Sequence, residues 1–114
     1  MTITLNSEAL ANAEKLIKAG KAVHDERDDW SEHAPSTSDE NAFIEKHGYD
    51  EYAKWHLGID TSHPEDTKAR YSFPFGDFAK VHRCAVISLE SRAAQNDHSS
   101  IAKAAKDLLG QLDE

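Results

Sequence analysis

The sequence predicts a mainly α protein of four to five helices, with a C-terminal antiparallel helical hairpin, long packed loops and at most a small β element. Two observations predict this class. Apolar residues recur at helical spacing in the last third of the chain, and helix-capping residues and glycines flank the apolar segments before it. Because 114 residues are enough to enclose a core, we expect residues 1–114 to form a single helical domain.

The first part of the chain predicts a strand, a helix and a second strand. Residues 2–5 fit a short strand, and Asn6 or Ser7 is suited to cap a helix over about residues 8–18. Gly20 marks its end, and residues 21–24 fit another short strand. These two strands could pair with each other.

Two shorter helices are predicted in the middle of the chain. Ser36 or Ser38 is placed to cap a helix that ends at Gly48. Asp50 is placed to cap the next, over residues 51–57, and Gly58 to end it. We expect the long segments 30–35 and 60–76 to wrap across the helices and pack against them.

An aromatic arm precedes the predicted central helix. Residues 71–76 alternate between aromatic and small or polar side chains, which indicates an extended segment. Pro74 has no backbone N–H, so the segment is expected at a sheet edge or alone. Asp77 then fits an N-cap, and the apolar pattern predicts a long helix over about residues 78–94.

The C-terminal segment has the clearest helical pattern. Residues 100–112 show apolar side chains at i, i+3, i+4, i+7, i+8 and i+11, beginning at Ile101. Only residues 95–98 separate this helix from the one before it, which predicts an antiparallel hairpin.

Charge is distributed unevenly along the chain. The net charge is −8, and residues 1–66 carry fifteen acidic and six basic residues. Residues 67–96, in contrast, carry two acidic and five basic residues. The overall field repels nucleic acid and anionic membranes, so nucleic acid is an unlikely partner, while the basic segment permits a local anion site.

Other sequence features exclude several classes of protein. No apolar run reaches the roughly 20 residues that span a bilayer, and we expect no secretory signal. The single cysteine, Cys84, fits a reducing compartment, so we expect a cytoplasmic protein. Neither metal-ligand spacing nor a glycine-rich phosphate loop occurs, and we therefore expect no metal and no cofactor.

Three motifs carry a resemblance to a known family. They are W-H-L-G-I-D at residues 55–60, D-T-K-A-R-Y-S-F-P-F-G-D-F at 66–78 and K-V-H-R at 80–83. Over about residues 30–112 the chain resembles a family of small uncharacterised bacterial proteins. The resemblance implies no activity.

The basic segment and its aromatic neighbours predict a binding site for an anionic group. The expected binding residues are Trp55, His56, Lys68, Arg70, Tyr71, Lys80, His82 and Arg83. We expect a non-enzymatic binding module that contacts a protein or a small anionic ligand through the region between Arg70 and Arg83. The alternative is that these basic residues pair with acidic residues of the same chain, and that the aromatic residues and Cys84 fill the core.

Two other functions are consistent with the sequence. One is a small hydrolase or lyase that uses His82 or His56 with Asp77 or Asp60 as an acid/base pair. The other is an acidic interaction protein whose N-terminal half imitates a nucleic-acid backbone. No residue is assigned a catalytic role, and the sequence leaves the ligand and the oligomeric state open.

Overall fold

The fold combines helices with two β-sheets. The computed structural model describes residues 3–24, 30 and 34–113. This part of the chain contains five α-helices, a three-stranded antiparallel sheet and a two-stranded parallel sheet, so the fold is α/β. The prediction of a mainly α fold with at most a small β element is therefore wrong. Strands here form by pairing between distant segments, which the periodicity of one segment does not reveal.

The elements follow one another in mixed order. The helices are α1 (Ser7–Lys18), α2 (Thr37–His47), α3 (Tyr49–Ala53), α4 (Arg83–Gln95) and α5 (Ser99–Leu112). The strands are β1 (Ile3–Leu5), β2 (Ala22–Val23), β3 (His56–Asp60), β4 (Tyr71–Pro74) and β5 (Val81–His82). A short 3₁₀ helix, Lys68–Arg70, leads into β4.

Each of the two sheets joins a strand from the N-terminal part of the chain to a later segment. The antiparallel sheet has the order β1-β3-β4, so β4 is an edge strand, as Pro74 predicts. The parallel sheet pairs β2 with β5. The strands β1 and β2 were expected where they lie, although Thr2 is outside the described residues. They pair with later strands rather than with each other.

Helix α1 is fixed at its start by a buried asparagine. The side-chain oxygen of Asn6 accepts a hydrogen bond from the Ala9 N–H, which confirms the predicted cap. The amide nitrogen of Asn6 donates to the carbonyl oxygens of Ala53 and His56, at 2.9 and 3.2 Å. Asn6 therefore ties the start of α1 to the junction between α3 and β3.

Helix α2 has the predicted bounds, but α3 is shorter than predicted. Ser36 caps α2 through a reciprocal pair of hydrogen bonds with Asp39, and α2 ends at Gly48, whose φ of 84° suits glycine. The cap of α3 is Gly48 and not Asp50, and the helix stops at Ala53. The chain becomes strand β3 at His56 because β1 and β4 supply hydrogen-bonding partners on both sides.

The predicted central helix begins five residues late, because a tight turn precedes it. Asp77 does accept from the N–H groups of Ala79 and Lys80, but this closes a turn, and Gly76 bridges to Val81 across it. Phe78 takes φ of 70°, a left-handed conformation that is uncommon for a bulky residue. Pairing of β5 with β2 then keeps the chain extended until Arg83.

The C-terminal helical hairpin is confirmed, and it forms much of the core. Helices α4 and α5 share the most extensive contact between two elements. Cys84 is fully buried among the core side chains, which confirms the alternative that it fills the core. The largest fully buried side chains are those of Leu57, Phe75, Val81, Val86, Leu89, Ile101 and Leu108.

One buried hydroxyl has no hydrogen-bond partner among the described residues. The Oγ of Ser72 on β4 is inaccessible to solvent and lies next to Gly58 of β3. Since removing an unsatisfied buried polar group removes its desolvation cost, we expect Ser72→Ala to leave the free energy of unfolding unchanged or to raise it by up to about 1 kcal/mol. Urea unfolding measures this. Ser36→Ala, which removes the α2 cap, is the contrasting variant and should cost about 1 kcal/mol. A loss of comparable size in Ser72→Ala would show that its hydroxyl is stabilising.

Candidate functional site

The structure distributes the predicted binding residues over three places. Lys68, Arg70 and Tyr71 belong to the 3₁₀ helix and the start of β4. The start of β3 holds His56, with Trp55 directly before it. Strand β5 contains His82, and Lys80 and Arg83 flank this strand. The neighbours of each group decide what it can bind.

Lys68 is used within the chain. Its ammonium nitrogen lies 3.4 Å from Oε1 of Glu40 on α2. The other oxygen of Glu40 accepts from the Tyr52 hydroxyl at 3.3 Å. Burial and the charge of Glu40 raise the pKa of Tyr52 well above its ordinary value. Lys68 therefore helps to hold α2 in place, which confirms for this residue the alternative of pairing with the acidic half.

Arg83 is also paired within the chain. Its Nε donates to Oδ1 of Asp113 at 2.9 Å, which links the start of α4 to the end of α5. The Glu90 carboxylate, on the same helix, lies 3.8 Å from the Lys106 ammonium of α5. Lys80 is exposed on the turn that precedes β5.

His82 and Asp77 form a hydrogen-bonded pair. His82 lies on β5 and not on a long helix, and it is 4% exposed. Its Nε2 donates to Oδ2 of Asp77 at 2.8 Å, and the Trp30 ring lies 5.6 Å away. Burial opposes ionisation of Asp77, but hydrogen bonds from His82 and from backbone N–H groups prevail and lower its pKa. The pair has the geometry of an imidazole oriented by a carboxylate.

His56 and Asp60 do not form a pair. They lie at opposite ends of β3, about 13 Å apart along an extended chain. His56 Nδ1 donates to the Tyr52 carbonyl oxygen at 2.9 Å, and burial lowers the pKa of His56 to about 4. Asp60 accepts hydrogen bonds from Ser62, which lower its pKa. Each residue is satisfied by a near neighbour in the sequence.

Trp55 belongs mainly to an aromatic cluster. It is 8% exposed, and its ring lies 5.6 Å from that of Phe75. Phe78 packs against Trp55 from the turn and stacks on Phe43 of α2 at 4.3 Å. The cluster therefore fastens the turn and α2 to the core, which confirms the core alternative for Trp55 and Phe75.

Arg70 and Tyr71 line an open cleft of about 560 Å³. It lies between the start of α1, helix α3, strand β3 and the segment that leads into β4. The lining residues are Asn6, Glu8, Asp50, Glu51, Ala53, Lys54, Ile59, Glu65, Arg70 and Tyr71. We call it the Arg70 cleft. The sequence pointed to Arg70 and Tyr71 only, because no local pattern links them to residues 6–8 or 50–54.

Arg70 is anchored in this cleft by a backbone carbonyl. One terminal nitrogen donates to the His63 carbonyl oxygen at 2.9 Å, and no carboxylate of the described chain lies within ion-pair distance of the guanidinium. The Tyr71 hydroxyl beside it donates to the Glu65 carbonyl oxygen at 2.8 Å. Burial raises the pKa of Tyr71, with smaller contributions from the charges of Glu65 and Asp50, while the charge of Arg70 and a hydrogen bond from it act in the opposite direction. Since a guanidinium carries five N–H donors, Arg70 retains donors for a ligand.

Metal-binding clusters and membrane-spanning helices are absent from the described residues. Across residues 3–24, 30 and 34–113, no group of three or more His, Cys, Asp or Glu side chains could hold a metal ion. In the same ranges, none of the helices has the length and apolar character needed to cross a membrane. Nucleic-acid mimicry by the N-terminal half stays a prediction, and residues 1–2, 25–29 and 31–33 of that half lie outside the described residues.

Comparison with known proteins returned no match: no family model, no curated protein and no solved structure matches this chain.

Proposed function

We propose that the protein is a non-enzymatic binding module whose Arg70 cleft receives an anionic group of a protein or a small molecule. The observation that carries this proposal is that Arg70 lines an open cleft without a carboxylate partner in the described chain. We also propose a cytoplasmic location, which the lone thiol of Cys84 supports. The resemblance to a family of small bacterial proteins stays a prediction.

The proposal narrows the expected site from the whole basic group to Arg70. Lys68 forms an ion pair with Glu40, and Arg83 forms one with Asp113. An anion that bound either residue would first have to displace that carboxylate. Arg70 has only to complete its remaining hydrogen bonds. A guanidinium binds carboxylates and phosphates through two parallel hydrogen bonds, and Tyr71 adds an aromatic surface beside it.

The test is a titration of the protein with pentanoate, followed by amide chemical shifts. We expect saturable shifts at the cleft, and an affinity about tenfold lower in Arg70→Gln, because a hydrogen bond to a charged group contributes about 1.5–3 kcal/mol. Arg92→Gln is the matched control, since Arg92 is exposed on α4 and the substitution changes the net charge equally. Equal affinities in all three proteins, or equal losses in both variants, would contradict the proposal.

The His82–Asp77 hydrogen bond supports a second candidate function, a small acid/base hydrolase or lyase. Its test is the hydrolysis of p-nitrophenyl acetate by the wild-type protein and by His82→Gln. An acid/base role predicts a rate at least about a hundredfold lower in the variant. Equal rates would remove this candidate.

A further inference from the structure

The Arg70 cleft carries charges of both signs. Its acidic lining residues are Glu8, Asp50, Glu51 and Glu65, and its basic lining residues are Lys54 and Arg70. Lys54 lies 2.7 Å from Glu51, so these two charges neutralise each other. The charges that remain are one guanidinium and three carboxylates. Within the described chain, none of these three carboxylates has an ion-pair partner.

Asp50 is the one of these three carboxylates whose charge reaches both walls of the cleft. It lines the cleft and is exposed at the start of α3. On one wall it raises the pKa of Tyr71, after the larger effects of burial and Glu65. On the other it raises the pKa of Lys54, after the larger effects of Glu51 and Glu8. Asp50 therefore lies within electrostatic reach of the residue next to Arg70.

This arrangement disfavours a ligand that is only an anion. Arg70 attracts a carboxylate, but the unpaired carboxylates of the cleft and the net charge of −8 repel it. A cationic group on the same ligand would lie against one of these carboxylates. The carboxylate that repels a pure anion would then attract the ligand.

We propose that the ligand is a small zwitterion of the amino-acid class, whose carboxylate binds Arg70 and whose ammonium lies against Asp50. This inference rests on the proposed function of the same cleft. Tyr71, which follows Arg70 in the chain and lines the same cleft, offers an apolar surface to the ligand's carbon chain.

Three probes of one length test the inference: pentanoate, pentylamine and 5-aminopentanoate. In the wild-type protein we expect 5-aminopentanoate to bind about two- to fivefold more tightly than pentanoate, as an added exposed ion pair allows. Asp50→Asn should abolish this advantage and leave pentanoate bound equally well or better, since a like charge is removed. Asp107→Asn, at an exposed position on α5, is the control and should change neither affinity.

The outcomes separate this inference from the proposed function. If pentanoate binds as tightly as 5-aminopentanoate, or if Asp50→Asn strengthens the binding of both probes equally, the zwitterion is excluded and the anion site stands. If pentylamine matches 5-aminopentanoate, Arg70 makes no contact with the ligand and the inference is overturned. If Arg70→Gln binds every probe as the wild type does, the proposed function fails and this inference fails with it.

Discussion

Replacing Gly76 by alanine is expected to destabilise the protein by about 3 kcal/mol or more. A methyl group at this buried position would overlap the carbonyl oxygen of Lys80 and would lie 2.6 Å from a ring carbon of Trp55. Neither neighbour can retreat easily. The Lys80 carbonyl accepts from the Asp77 N–H within the turn, and Trp55 is packed in the core. Urea unfolding of the purified variant measures the loss.

Gly110→Ala is the matched control for this prediction. A methyl group at residue 110 meets nothing within 4 Å, and the residue lies inside α5, where alanine is favoured over glycine. We therefore expect this variant to be more stable than the wild type by about 0.5–1 kcal/mol. Equal stability of the two variants would contradict the close packing of Trp55 and the Lys80 carbonyl against Gly76.

The second large effect is a loss of stability in mild acid that arises from His56. Burial lowers the pKa of His56 to about 4 in the folded protein, whereas an unfolded chain has the ordinary value of about 6.5. Between these values the unfolded state binds a proton that the folded state does not. Stability from this residue is therefore complete above about pH 6.5 and is lost as the pH falls towards 4, by about 2–3 kcal/mol at pH 4.5.

The measurement is urea unfolding at pH 7 and at pH 4.5, for the wild type and for His56→Asn. Asparagine keeps a donor for the Tyr52 carbonyl but does not titrate. Between pH 7 and pH 4.5, the free energy of unfolding should fall less in His56→Asn than in the wild type. The difference should be about 2–3 kcal/mol. His47→Gln, at an exposed position on α2, should behave as the wild type does. If the wild type and His56→Asn lost the same stability, His56 would not be buried in its neutral form.

Local features of the sequence predicted local features of the fold. The cap at Asn6, the stop at Gly48 and the apolar stripe that begins at Ile101 all describe elements whose hydrogen bonds lie within one segment. Each was recovered because such elements depend on residues no more than a turn apart. Pro74 likewise placed β4 at a sheet edge, since proline cannot donate to a second neighbouring strand.

The errors lie where distant segments compete for the backbone. The Val81 N–H donates to the Lys21 carbonyl oxygen, across 60 residues of sequence, and so the helical pattern after Phe78 was overridden. Strand β3 was missed because His56 and Leu57 fit the end of the helix predicted over residues 51–57 equally well. Pairing with β1 and β4 decided between the two conformations.

One wall of the candidate site, the wall with Arg70 and Tyr71, could be predicted from the sequence. Arg70 and Tyr71 stood out as a basic and an aromatic residue in an acidic chain. The opposite wall comes from Glu8, Asp50 and Lys54, which are distant in sequence and ordinary surface residues by composition. The charge distribution predicted that basic residues pair with carboxylates of the same chain, but not that Lys68 pairs with Glu40 and Arg83 with Asp113, because ion-pair partners depend on how the helices are arranged.

The central claim is that the Arg70 guanidinium is available to bind an anion in its cleft. The most direct measurement follows the side-chain Nε–Hε signals of the arginines during a titration with pentanoate. The account predicts that the Arg70 signal shifts and saturates while the signals of Arg83 and Arg92 stay in place. An Arg70 signal that does not move, or arginine signals that all move alike, would contradict it.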